Sequence, residues 1–148
     1  MAKSYASTVI EAPAERVWER IRDFNGLATW HSGLIASSEI AGGKSGDQVG
    51  AIRTLTLGDG AKVIEQLLSH SDLERSYTYD FQDPPPFDVD NYCSTIRVTP
   101  VTEGGGSFVE WWTTFDCDRD QQEHWIGFFS SEVFQGGLDA LKAHFAGR

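Results

Sequence analysis

The chain has 148 residues, with 12 Lys and Arg against 22 Asp and Glu, a formal charge of −10, and 40% hydrophobic residues. That composition argues against disorder, since there is apolar and aromatic surface enough for a core, and against a basic face for nucleic acid or anionic membrane. No apolar stretch approaches the roughly 20 residues that span a bilayer. The N-terminal run MAKSYASTVIEAPAERVW lacks the basic start and apolar segment of a signal peptide. Two cysteines, Cys93 and Cys117, are too few for a disulfide scaffold. The expectation is one soluble, cytoplasmic domain over residues 1–148.

Ser4 to Ile10 alternates as a strand, with Tyr5, Ser7 and Val9 against Ala6, Thr8 and Ile10. Ala12-Pro13-Ala14-Glu15 then opens a helix: proline suits the first turn and Glu15 complements its positive end. Val17, Trp18, Ile21 and Phe24 recur at helical spacing and predict a buried stripe. Asn25-Gly26 stops that helix, and Leu27 to His31 forms a second short one. Six strands are predicted next, at 35–40, 48–57, 62–69, 75–81, 92–101 and 107–116. Gly- and Pro-rich turns separate them, including Gly58-Asp59-Gly60, Asp83-Pro84-Pro85-Pro86 and Gly104-Gly105-Gly106. From Asp120 to about Phe145 the pattern is helical again, with Trp125, Phe128, Phe129, Val133, Leu138, Leu141 and Phe145 apolar. Gly136-Gly137 should weaken or bend it. The expected architecture is α+β: a curved seven-stranded antiparallel sheet around a long C-terminal helix, with an internal space between them.

Strand registry supplies the most informative expectation. A turn centred on Asp59 sets Leu55 opposite Val63, Arg53 opposite Glu65 and Ala51 opposite Leu67. Val49, Ala51, Arg53, Leu55 and Leu57 share one face, which meets Ala61, Val63, Glu65 and Leu67. Apart from one opposed charge pair that face is apolar, so Arg53 and Glu65 should point inward together. A turn near Asp72 puts Tyr79 beside Glu65, with Tyr77 and Phe81 on the same face. A turn near Gly104 places Tyr92, Ser94, Ile96 and Val98 with Val109, Trp111, Thr113 and Phe115. Aromatic bulk with a few polar groups is the make-up of a small-molecule pocket. The catalytic candidates are Arg53, able to stabilise an enolate or oxyanion, Glu65, able to move a proton, and Tyr79, able to orient a substrate or donate one. The ligand-binding candidates are Trp30, His31, Tyr77, Tyr92, Trp111 and Phe129. The alternative reading of Arg53 and Glu65 is a structural ion pair whose remaining hydrogen bonds come from tyrosines.

Other features point away from chemistry. His70, His124 and His144 complete no metal set, so neither metal nor cofactor is expected. Gly43-Lys44-Ser45 lacks the earlier glycine of a phosphate-binding loop, Ser38 standing in its place, and a strand follows it. There is no G-x-S-x-G elbow. Cys93 and Cys117 fall on opposite faces, as reduced thiols. Phe87, after the prolines, is expected as an exposed aromatic at a pocket rim. Trp112 faces outward beside Glu110, which leaves monomer and homodimer both open.

The runs VIEAPAERVWERIRDFNGLATWH, GDQVGAIRTLTLGDGAKVIEQLL and YCSTIRVTPV…FVEWWTTFD span nearly the whole chain. In order and spacing they resemble the START-related, birch-pollen-allergen-like (SRPBCC) superfamily, in its polyketide-cyclase/dehydrase and MxaD-like branch. The resemblance implies a helix-grip fold enclosing a hydrophobic cavity. Some members carry lipids, hormones or polyketides, and others cyclise or dehydrate aromatic polyketides. The plant lachrymatory-factor synthases, similar in fold, use a cavity arginine and glutamate, to which Arg53 and Glu65 could correspond. The expected function is binding of a small hydrophobic or aromatic molecule in an internal cavity. The alternative is a cofactor-free cyclase, dehydratase or isomerase using Arg53 and Glu65.

Overall fold

A computed structural model describes residues 1–147. Seven strands form one antiparallel sheet in the order β1-β7-β6-β5-β4-β3-β2. They are β1 (Ala2–Ile10), β2 (Ile35–Ile40), β3 (Ile52–Leu57), β4 (Lys62–Ser71), β5 (Ser76–Phe81), β6 (Asp90–Pro100) and β7 (Ser107–Asp116). Two short helices, α1 (Ala14–Ile21) and α2 (Leu27–Trp30), follow β1 and flank a 3-10 turn at Phe24–Gly26. The predicted stripe of Val17, Trp18, Ile21 and Phe24 is wholly buried.

The C-terminal helical run comprises α3 (Gln122–Gly127), a π-helical stretch at Phe128–Gln135, and α4 (Gly136–Ala146). Right-handed helical backbone continues through both junctions. The expected irregularity therefore lies in the eight residues that lead up to Gly136-Gly137, not at the glycines themselves. The wider π turn brings Phe129 and Phe134 both into the core. Gly137 serves closeness, since a Cβ there would stand 2.7 Å from both His31 Cδ2 and Trp111 Cζ3.

Three register expectations are corrected. β3 begins at Ile52, not Gln48, because Gly50 takes a left-handed φ of 93° in a turn closed by Ala51 N–H to Gln48 O. Val49 is consequently 56% exposed instead of facing inward. Ala61 is likewise exposed, in the tight turn after Gly60. The β4–β5 turn is longer than a turn centred on Asp72 and ends on Arg75 with φ 53°. With a bulge between Leu67 and Ser69, it sets Phe81 opposite Glu65 and Tyr79 opposite Leu67. A two-residue shift keeps Tyr79 on the inner face. The β3–β4 pairs Arg53–Glu65 and Leu55–Val63 and the β6–β7 pairs Ser94–Thr113, Ile96–Trp111 and Val98–Val109 are as expected. Cys93 is exposed, Cys117 is half-buried, and both are free thiols. Among the described residues no helix is long and apolar enough to cross a membrane.

Candidate functional site

The site is built on neighbouring strands β3 and β4, where Arg53 and Glu65 form a direct cross-strand pair. Arg53 is fully buried and Glu65 is 4% exposed. Charges so placed need exact partners, and Arg53 has them on every side. Its Nε and Nη2 donate to Glu65 Oε1 at 2.9 and 2.7 Å, and its Nη1 donates to the Phe24 carbonyl at 2.6 Å. The guanidinium also stacks 3.8 Å from the Phe24 ring centre and 4.9 Å from that of Tyr79.

The Phe24 carbonyl is itself fixed locally. Asp23 accepts from the Asn25 amide at 2.9 Å, and the Phe24 amide donates to Gly46 O at 2.9 Å. A Cβ at Gly46 would fall 1.8 Å from Asp23 Oδ1 and 3.0 Å from the Phe24 amide nitrogen, so a larger residue there would displace the Asp23 side chain.

A cavity of about 40 Å³ lies between the sheet's inner face and the π stretch. Its buried wall includes His31, Glu65, Tyr79, Tyr92, Trp111 and Phe129, with Leu27, Ile35, Leu55 and Val63. A half-buried rim is made by Leu34, Leu57, Phe81, Phe87, Phe128 and Val133. Of the nine candidate residues, six thus line the cavity. Arg53, Tyr77 and Trp30 stand behind the wall: Tyr77 packs edge-on to Phe24, and Trp30 lies against His31 and Trp111. Phe87 is not the exposed aromatic of the sequence reading. Its ring packs 5.1 Å from Phe128 and 5.9 Å from Phe81.

Burial sets the ionisation of the wall. It pushes the Glu65 carboxyl above its ordinary value, against the opposing pull of Arg53. Burial is the largest influence on Arg53 and disfavours its charge, but Glu65 together with Tyr77 and Tyr79 more than offsets it and keeps the guanidinium ionised. Tyr79 and Tyr92 are raised by burial, then by neighbouring groups including Glu65, and remain neutral phenols. Tyr79 Oη accepts from Trp111 Nε1 at 3.2 Å. His31 is lowered by burial, although the Val133 carbonyl works the other way. Its Nε2 lies 2.7 Å from that carbonyl. A carbonyl only accepts, so Nε2 carries the proton and the neutral ring presents Nδ1 as an acceptor, without a partner among the described residues.

The sequence reading places Phe87 at a rim and Leu57 and Phe81 on the inner face. The rim positions of Leu34, Phe128 and Val133 and the close approach at Gly137 escaped it. The pair of glycines inside an apolar helical pattern was the available signal for Gly137, since a close approach is one reason to keep glycine there. Among the described residues no group of three or more His, Cys, Asp and Glu is placed to hold a metal.

Comparison with known proteins accords with this geometry. Residues 1–146 match the family described as polyketide cyclase / dehydrase and lipid transport, and the chain belongs to that family. It is similar to the Bacillus cereus protein XoxI, at 38% identity and a TM-score of 0.85, over 99% of this chain and 96% of that one. A Bacillus thuringiensis protein is 36% identical, with a TM-score of 0.85 over 98% of this chain and 99% of the other. Norcoclaurine synthase of Thalictrum, at 16% identity and a TM-score of 0.76 over 98% and 94% of the two chains, shares the helix-grip fold. Comparison with curated proteins gives no match.

Proposed function

We propose that this member of the polyketide cyclase/dehydrase and lipid-transport family binds a small, mostly apolar molecule between its sheet and its C-terminal helix, as a carrier or ligand-binding domain. The observation that carries the reading is the cavity, whose wall is aromatic and aliphatic except for a few polar groups. At about 40 Å³ it is far below the roughly 300–1,000 Å³ of drug-sized sites. Entry therefore requires the rim to yield, and the half-buried side chains of Phe87, Phe128, Leu34 and Leu57 are the ones with room to move.

The second reading, a cofactor-free cyclase, dehydratase or isomerase, draws its support from the Glu65 carboxylate in the wall. It stands behind the first because Arg53, its expected electrophile, is committed elsewhere.

Two measurements test the binding reading. Native mass spectrometry with organic extraction of purified protein should reveal a retained apolar molecule. Titration with small aromatics should give saturable NMR shifts of the Leu55, Val63 and Ile35 methyls, abolished by the cavity-filling Leu55→Phe. Shifts that never saturate, or that persist in a folded Leu55→Phe variant, would refute it.

A further inference from the structure

The polarity of the cavity wall differs from what an inward arginine–glutamate pair suggests. Each of the three Arg53 nitrogens already donates within the protein, two to Glu65 Oε1 and one to the Phe24 carbonyl, and Arg53 does not line the cavity. The Phe24 and Tyr79 rings, themselves 6.0 Å apart, also lie against its guanidinium. Both contacts from Arg53 land on the same carboxylate oxygen, so Glu65 Oε2 accepts neither. Of the two ionised partners it is Glu65, not Arg53, that lines the cavity.

The rest of the lining contains no Lys or Arg, and His31 is held neutral by burial. An anionic ligand entering here would lose its hydration beside a carboxylate, with no free cation to receive it. An apolar ligand would leave Oε2 without a donor. A hydroxyl group answers both conditions, because it carries no charge and supplies the missing proton.

We infer that the cavity selects an uncharged aromatic or aliphatic alcohol or phenol, whose hydroxyl donates to Glu65 Oε2, and that it discriminates against carboxylates and enolates. Arg53 is then a positioning residue, which fixes the carboxylate from behind by Oε1. This inference rests on the reading of the cavity as the ligand site, and adds to it the chemical class of the ligand.

The test uses three probes with one carbon skeleton at pH 7.5: toluene, benzyl alcohol and benzoate, titrated into the unmodified protein by NMR. Benzyl alcohol should bind tightest, with benzoate at least tenfold weaker. In an apolar wall an unpartnered hydroxyl is costly, so without Glu65 the order of toluene and benzyl alcohol would be reversed. Toluene or benzoate binding as tightly as benzyl alcohol, or tighter, would overturn the inference while leaving the binding reading standing. Failure of all three to give saturable shifts would overturn both. Glu65→Gln, where its amide spectrum shows a folded protein, should narrow the gap between benzyl alcohol and benzoate at least threefold. An unchanged gap in that variant would also overturn the assignment. Should it fail to fold, the comparison on the unmodified protein still decides.

Discussion

Two adjacent glycines in the C-terminal helix should respond to alanine with opposite signs. Replacing an interior helical glycine by alanine ordinarily stabilises by up to about 1 kcal/mol, through the lost entropy of the unfolded chain. Gly136 has room for the methyl, whose nearest contacts would be Ser131 O at 3.6 Å and His31 Cε1 at 3.8 Å. Gly136→Ala should therefore gain roughly 0.5–1 kcal/mol. At Gly137 the same methyl would stand 2.7 Å from His31 Cδ2 and Trp111 Cζ3, and 2.9 Å from His31 Nε2. Neither neighbour can step aside cheaply. Trp111 is fully buried against Phe134, and His31 is tied to the Val133 carbonyl. Overpacking of this kind costs about 1–3 kcal/mol, and displacing His31 would add about 1–3 kcal/mol for the carbonyl it abandons. After the propensity gain, Gly137→Ala should lose about 2 kcal/mol. The two variants should then differ by roughly 3 kcal/mol, on the order of 10 °C in melting temperature for a chain of this size. Urea and thermal unfolding of both proteins measure it directly. A Gly137→Ala protein as stable as the parent would show that the helix does not approach His31 and Trp111 this closely, and the packing of the cavity's inner end would have to be redrawn.

Three further outcomes follow from the same contacts. Glu65→Leu and Arg53→Met should each cost about 3–5 kcal/mol, by leaving a buried charge alone, while the double variant should cost less than either; additive losses in urea unfolding would contradict a coupled pair. Because His31 has a folded pKa below its unfolded 6.5, its contribution is complete above pH 6.5 and is lost as pH falls toward the folded value. Stability should therefore decline as pH falls below 6.5, and His31→Gln should flatten that decline; identical slopes in the two proteins would refute the assignment. Asp72 accepts from Trp18 Nε1 at 2.8 Å, from Arg22 and from His70, so Asp72→Ala should cost about 1–2 kcal/mol. Arg22, then Trp18 and His70, lower its pKa, so that stability is present above pH 3.8 and lost on acidification below it; an unaltered acid limb in Asp72→Ala would count against this.

How much of this was readable in the chain differs from element to element. The Arg53–Glu65 pairing followed from one short turn, since Gly58-Asp59-Gly60 leaves little freedom in the register it closes. The β6–β7 pairs followed equally from the Gly104 turn. The β4–β5 register did not, because it depends on a left-handed arginine and a bulge, and neither Arg75 nor Leu68 announces such backbone. The inward orientation of the pair was legible from strand period two. Which partner meets the cavity was not, because that is settled by the Phe24 carbonyl, 29 residues from Arg53, and by the Asp23 and Gly46 contacts that aim it. The helical part of the rim was hidden for a similar reason. Phe128 and Val133 project from a π stretch, and a period of 3.6 assigns faces correctly only while the helix keeps that period.

The same orientation bears on the choice between carrying a ligand and transforming one. A cyclase or isomerase that develops an enolate or oxyanion needs donors aimed at the growing negative charge. The wall offers the Tyr79 and Tyr92 hydroxyls, raised by burial so that they keep their protons, and a carboxylate nearby that would oppose the same charge. It offers no exposed guanidinium. Proton removal by Glu65 is the chemistry this arrangement favours, and burial raises its basicity for that purpose. Without a cation for the product anion, such a step would stop at a hydrogen-bonded complex. That complex is what a binding protein for an alcohol or phenol needs. An enzyme on this scaffold would first have to turn Arg53 around, and releasing it from Phe24 and Glu65 Oε1 would strand a buried charge.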